Sequence, residues 1–288
     1  MRIARFGERG DERPAIFDVE GNLRDISALV PDWSGDWLDP DRFKMLGLLD
    51  ARLLPPVDMG VRFGAPVAGI GKIIGIGLNY ADHAEEAGLD LPDEPVWFLK
   101  ATSALSGPND PILIPRGGDK VDWEAELAVI VGRTLSHADE DEALAAVAGY
   151  TVMNDVSERA FQLEQGGQWT RGKSCDTFAP LGPWLTVASA VHDPHDLDIW
   201  LSVNGERQQM SNTHQMVFGV GALLATLSRY MTLHPGDVVA TGTPGGVGFG
   251  QSPKRFLREG DVVELGIAGL GEQRQTVIDY HDARTRCG

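Results

Sequence analysis

Cysteine is almost absent: Cys175 and Cys287 are the only two in 288 residues. A disulfide framework is thereby excluded as the organising device, and a reducing compartment, the cytoplasm, is the expected location. No stretch approaches the ~18 consecutive apolar residues of a membrane-spanning helix. The opening MRIARFGERGDERPAIF holds no apolar run of signal-peptide length. Basic residues are also scarce. Lys and Arg number 25 against 42 Asp and Glu, for a net charge of −17, which argues against nucleic acid and anionic membranes as partners. An anionic small molecule would need a local positive centre here, either a metal ion or a few placed Lys and Arg side chains. The Gly-rich DVVATGTPGGVGFG lacks a following Gly-Lys-Ser/Thr, so it is not a Walker-type phosphate loop.

What is present is ordinary globular material, 42% hydrophobic and 23% charged. Short β-like runs at 2–6 and 15–19 are separated by turn formers, and 54–71 is rich in Pro and Gly. This divides the chain into a small N-terminal β-containing domain, 1–68, and a larger domain, 69–288. In the larger part, KIIGIGLNY, PVWFLK, VDWEAELAVIV, YTVMNDV, DVVATGT and DVVELGIAGLGEQRQTVID read as strands. LDIWLSVNGERQQ carries Asn204-Gly205, a strong hairpin signal. Helices are expected at ADHAEEAG, at ADEDEALAAVAG ending on Gly149, at SERAFQLEQGG capped by Ser157, and at VFGVGALLATLSRYM. Strands dominate, so the fold class is β-rich α+β.

Glu124 and Glu126 lie two apart in a strand and share a face. Their strand continues through Leu127, Val129 and Val131, and two like charges beside so apolar a strand are costly unless neutralised. A divalent cation would do this, and oxygen ligands favour Mg²⁺, Mn²⁺ or Ca²⁺ over Zn²⁺. Asp155 ends the next strand, where a third ligand can arrive. The competing reading is the wet face of an edge strand. His83 and Glu86, at i and i+3, can pair on a helical turn as a carboxylate-held base; a surface pair is the plainer alternative. Lys173 is solvated unless something recruits it, and Cys175 reads as a small buried residue. Thr243 and its glycines form either a tight turn or an anion contact.

Taken together, IGLNYADHAEE, PVWFLKATSALSGPND, DWEAELAVIVGR, GYTVMNDVSER, WTRGKSCDTFAPLGPW, VNGERQQMSNT and GDVVATGTPGGVG resemble the fumarylacetoacetate hydrolase family, in that family's order, over residues ~70 to 270. The resemblance implies a β roll of mixed sheets, usually a homodimer, acting on a small anionic oxo acid. It implies Glu124, Glu126 and Asp155 as ligands of Mg²⁺ (with Mn²⁺ or Ca²⁺ as alternatives), His83 and Glu86 as the water-activating pair on a segment that closes over the site, and Lys173 at a substrate oxygen. It implies Lys100, Gln209 and Thr243 as substrate contacts. Two departures stand beside the site. Leu78 replaces an Arg of acylpyruvate-cleaving members, and Gln208 and Met210 replace the Arg and Asp around the family's glutamine. SERAFQ and GQWTRGKSCDTFAPLGPW look most like the branch that hydrolyses 2,4-dioxo-3-deoxy-L-rhamnonate or L-fuconate to pyruvate and a hydroxy acid such as lactate. Gln208, Gln209, Ser211 and Asn212 would bind the extra hydroxyl, giving such a substrate at least about 10-fold over acetylpyruvate. The rival readings are an oxo-acid decarboxylase, a keto–enol isomerase or an acylpyruvate hydrolase on the same scaffold, or a non-catalytic oxo-acid-binding protein.

Overall fold

The computed structural model describes residues 1–82, 85 and 90–280. Its main element is a ten-stranded mixed sheet. The order across it is Leu23–Asp25, Arg13–Phe17, Arg2–Phe6, Ala179–Val187, Val147–Asn154, Ala125–Val131, Val238–Ala240, Ile73–Gly77 and Val96–Lys100, with Leu105–Ser106 attached beside Ala179–Val187. The pairing is antiparallel except where Val238–Ala240 runs parallel to Ile73–Gly77 and Leu105–Ser106 to Ala179–Val187. A second sheet of five strands has the order Glu206–Asn212, Asp198–Val203, Val262–Ile267, Gly271–Asp279 and Ile112–Ile114. The protein is therefore α+β, rich in strand, and built on mixed sheets.

Sequence explains the layering. Ala125–Val131 and Val147–Asn154 are buried along their whole length, as near-continuous apolar strands covered on both faces must be. Leu201, Val203, Val263 and Leu265 of the second sheet join Leu127, Val129, Val152 and Met153 in one core. The helix Val220–Tyr230 buries Val220, Leu223, Leu224 and Leu227, the i, i+3, i+4, i+7 stripe of a helix packed on one face. At the N-terminal end, Ala4, Phe6, Ala15, Phe17, Leu23 and Phe63 form a smaller cluster, while Arg2–Phe6 pairs directly with Ala179–Val187. Among the described residues no helix is long and apolar enough to cross a membrane.

Several local expectations need correction. The helix expected up to Gly149 covers only Glu140–Ala145, starting from a capping box between Asp139 and Glu142. Gly149 belongs to a strand instead, where a Cβ would stand 2.2 Å from the Thr186 carbonyl oxygen; the glycine serves close strand approach, not a helix stop. Ser157 caps nothing: Ser157–Glu158 pairs with Val121–Asp122, and the helical turn that follows, Ala160–Glu164, is of the wide π type. The long strand expected over 121–131 is interrupted at Trp123 and Glu124. The Asn204-Gly205 hairpin forms as expected, with both residues at positive φ (53° and 77°).

Asp39 illustrates a surface contribution. It caps the helix Pro40–Leu46 by accepting the Asp41 N–H, and it takes two bonds from the Arg133 guanidinium. That guanidinium is the main reason its carboxyl is held down at about 2. A depressed carboxyl stabilises the fold above its unfolded value near 4, and the gain is lost as pH falls through about 2. Asp39→Ala is expected to cost about 0.5–2 kcal/mol at pH 7, the usual effect of losing such a cap, with a smaller difference at pH 2. Urea unfolding at the two pH values checks this; equal differences would contradict it.

Candidate active site

The site grows from the central antiparallel pair. Met153 stands opposite Glu126, and the Asp155 N–H donates to the Glu124 carbonyl at 2.8 Å. Glu126 lies in the strand and Glu124 just before it, and the Asp155–Glu124 backbone bond brings Asp155 beside both. One carboxylate oxygen from each of the three lies within 4.8 Å of the others, and all three residues are buried. Glu126 accepts the Gly242 N–H at 2.9 Å. Burial first, then the charges of Asp155 and Glu124, push its carboxyl well above the ordinary range.

Cations answer these acids. The Lys173 ammonium sits between Glu124 (2.6 Å) and Asp155 (2.7 Å). Burial would lower its pKa, but those two carboxylates outweigh it and the net shift is upward. Lys173 reaches this place because Gly172 packs on Glu158; a Cβ there would stand 2.4 Å from the Glu158 carbonyl oxygen. Lys100 is fully buried, bonds Asp155 and the Val156 carbonyl, and is held below the usual lysine range, chiefly by burial. Arg159 bridges Glu124 and Asp122, each at 2.7 Å.

Glu124 and Glu126 line a cavity of about 430 Å³, within the ~300–1,000 Å³ span of small-molecule pockets, while Asp155 lies buried beside them. Its walls are largely apolar (Ile76, Leu78, Phe98, Leu163, Trp169, Val247), with Arg159, Gln162, Lys173, Thr243 and Lys254 as polar members. Leu78 has φ +55°, a left-handed conformation costing a bulky residue ~1–3 kcal/mol and concentrated at functional sites.

The structure brings Glu124, Glu126, Asp155, Lys173 and Thr243 together and places others apart from the cavity. Gln209 is fully buried away from the cavity wall. Its amide accepts the Ala125 N–H and donates to Thr243 Oγ1 and the Pro244 carbonyl, so it ties these segments together and is not part of the cavity lining. Lys100 likewise stands behind Asp155. Gln208, Ser211 and Asn212 also miss the cavity; Gln208 bonds Gln251, Ser211 bonds Asp82, and Asn212 bonds Asp196 and Asp198. Cys175 is half-buried and burial pushes its thiol up to about 11, the wrong direction for a nucleophile. His83 and Glu86 lie outside the described residues.

Asp122 and Arg159, beside the acids, escaped the sequence reading. Asp122 extends the Glu124, Glu126 spacing by one more i, i+2 step, a signal that was available. It accepts backbone N–H groups from Trp123, Gly248 and Phe249 as well as the Arg159 guanidinium. Arg159 had no comparable signal, since a strand pair and a π turn had to be known before it could be aimed at Glu124. Asp122→Ala leaves Arg159 and the loop donors uncompensated and is expected to cost about 3–5 kcal/mol, the scale for breaking a buried ion pair. Chemical unfolding checks this; a loss under 1 kcal/mol would remove Asp122 from the support of the site.

Known proteins share this architecture. The profile described as "Fumarylacetoacetate (FAA) hydrolase C-terminal" matches residues 72–278. A protein of Burkholderia lata with only a provisional hydrolase name is 54% identical over 280 residues, covering 97% of this chain and 99% of its own. The solved fumarylacetoacetate hydrolase of Exiguobacterium antarcticum superposes with a TM-score of 0.85 at 36% identity, covering 97% of this chain and 99% of that one. Maleylpyruvate hydrolase from Sphingobium sp. SYK-6, solved with manganese(II) and pyruvate, gives 0.78 at 34% identity, with coverage of 97% and 99%. With more than half of its length matched by the profile and several relatives above 30% identity, the chain belongs to the fumarylacetoacetate hydrolase family.

Proposed function

We propose that this protein hydrolyses a carbon–carbon bond in a small 2,4-dioxo acid and releases pyruvate, with a divalent cation held by Glu124, Glu126 and Asp155. The observation that carries the reading is the buried triad, two of whose members, Glu124 and Glu126, line the cavity, with the Lys173 ammonium bonded to Glu124 and to Asp155 beneath them. An all-oxygen donor set suits Mg²⁺, with Mn²⁺ or Ca²⁺ as substitutes. When bound, the cation would supply a positive centre for the substrate's carboxylate and 2-oxo oxygens and for charge gathering on the departing pyruvate fragment.

The chain's own residues supply the rest. His83, oriented by Glu86, takes a proton from water, whose oxygen adds to the C4 carbonyl. The buried Lys173 ammonium balances the charge that develops on the C4 oxygen. Arg159 holds one carboxylate oxygen of Glu124 while Lys173 holds the other. The apolar walls hold the chain beyond C4 and limit bulk water. The C3–C4 bond then breaks, and protonation of C3 completes pyruvate.

Within this class, the sugar-acid substrates 2,4-dioxo-3-deoxy-L-rhamnonate and L-fuconate lose part of their rationale. Gln208, Gln209, Ser211 and Asn212, meant for the extra hydroxyl, do not line the cavity. Turnover of a 2,4-dioxo-acid panel with Mg²⁺, followed by lactate dehydrogenase-coupled pyruvate release, tests the reading. Pyruvate from at least one member supports it. A decarboxylase would release carbon dioxide, an isomerase would leave the skeleton intact, and a binding protein would leave every substrate unchanged. We also propose a homodimer, for which light scattering should give twice the 31.1 kDa chain mass.

A further inference from the structure

Three cationic side chains line the cavity, and they are not equivalent. Arg159 is engaged by Asp122 and Glu124, and Lys173 by Glu124 and Asp155. Lys254 has no carboxylate partner among the described residues; its ammonium lies 3.5 Å from the centroid of the Phe249 ring. We propose that Lys254 receives an anionic group at the far end of the substrate, so that the preferred substrate is a dianion with its oxo-carboxylate end at the buried acids and a second carboxylate at Lys254. This deepens the oxo-acid reading and rests on it.

The lysine is exposed, but its support is fixed. Phe249 and Gly248 donate their N–H groups to Asp122 at 3.0 and 2.7 Å, which ties the platform under Lys254 to the same carboxylate that holds Arg159. The Arg255 N–H closes the loop onto the Gly248 carbonyl at 3.0 Å. The neighbouring charge is spent, because the Arg255 guanidinium pairs with Glu206 at 2.6 Å. A lysine ammonium held over an aromatic face gains a cation–π contact that favours one position. In a chain of net charge −17, a lysine left unpaired in a cavity wall marks that wall for an anion. The cavity that Lys254 shares with Glu124 and Glu126 is otherwise lined in large part by Ile76, Leu78, Phe98, Trp169 and Val247, which suit a short methylene chain better than a hydroxylated one.

Calorimetric titration of the full-length protein in excess Mn²⁺ tests this. The probes are 2-oxoheptanedioate and 2-oxoheptanoate, which share a chelating end, differ at the tail, and lack the 4-oxo group needed for cleavage. The wild type is expected to bind the dioate roughly 10-fold more tightly, equivalent to ~1.4 kcal/mol, with a preference that shrinks as salt rises. Lys254→Met should abolish the preference while leaving 2-oxoheptanoate affinity and the thermal midpoint unchanged, and Lys254→Arg should retain most of it. Equal binding of both probes to the wild type, or an undiminished preference in Lys254→Met, would make Lys254 a solvated surface lysine and overturn the proposal. If neither probe binds, the oxo-acid reading itself fails and the dianion proposal falls with it.

Discussion

Removing divalent metal by a chelator is expected to take 2,4-dioxo-acid turnover to background, and Mg²⁺ or Mn²⁺ to restore it. The expectation follows from three carboxylates converging within 4.8 Å in a buried setting, where like charges are tolerable only if offset. Lys100, Arg159 and Lys173 offset part of that charge, but each approaches Glu124 or Asp155. Glu126 is the informative ligand to change. Glu126→Gln keeps the volume and can still accept the Gly242 N–H, so the apo fold should survive. It should lose at least about 10³-fold in kcat/KM, or ~4 kcal/mol of transition-state stabilisation, together with the metal-induced rise in thermal midpoint. Full activity in excess chelator, with no metal by elemental analysis, would contradict the assignment.

The second large effect concerns the base. His83→Ala is expected to keep metal affinity while losing about 10²–10⁴-fold in kcat, the usual contribution of general acid–base catalysis. Glu86→Gln should lose less, because it removes only the orienting carboxylate. Steady-state kinetics beside metal titrations separate the two roles. Wild-type turnover in His83→Ala would remove water activation from this residue and favour an isomerase or decarboxylase reading.

The sequence made the acids legible through the i, i+2 spacing of Glu124 and Glu126 and, above all, through the family resemblance; the spacing alone left an edge strand open, and the strand in fact begins only at Ala125. The Asn204-Gly205 hairpin and the stripe of Val220–Tyr230 were legible because each depends on local geometry alone. What depended on tertiary packing was not. Gly149 looked like a helix stop and proved to be a point where two strands nearly touch. Gln209, expected as a substrate contact, has its amide engaged by the Thr243 hydroxyl and Pro244 carbonyl, partners more than thirty residues away that the sequence could not show. Lys254 carried no sequence signal at all; its meaning comes from the Phe249 face beneath it and from its having no carboxylate partner among the described residues.

The central claim, hydrolysis of the C3–C4 bond, is tested most directly by turnover of a cleavable 2,4-dioxo acid in ¹⁸O-labelled water with Mg²⁺ present. The products are then read by mass spectrometry and ¹³C NMR. The account predicts pyruvate and a second acid in equal amounts, with one solvent oxygen incorporated into the carboxylate of the second acid, the fragment that contained C4. Carbon dioxide release, or an intact carbon skeleton with only proton exchange at C3, would contradict it.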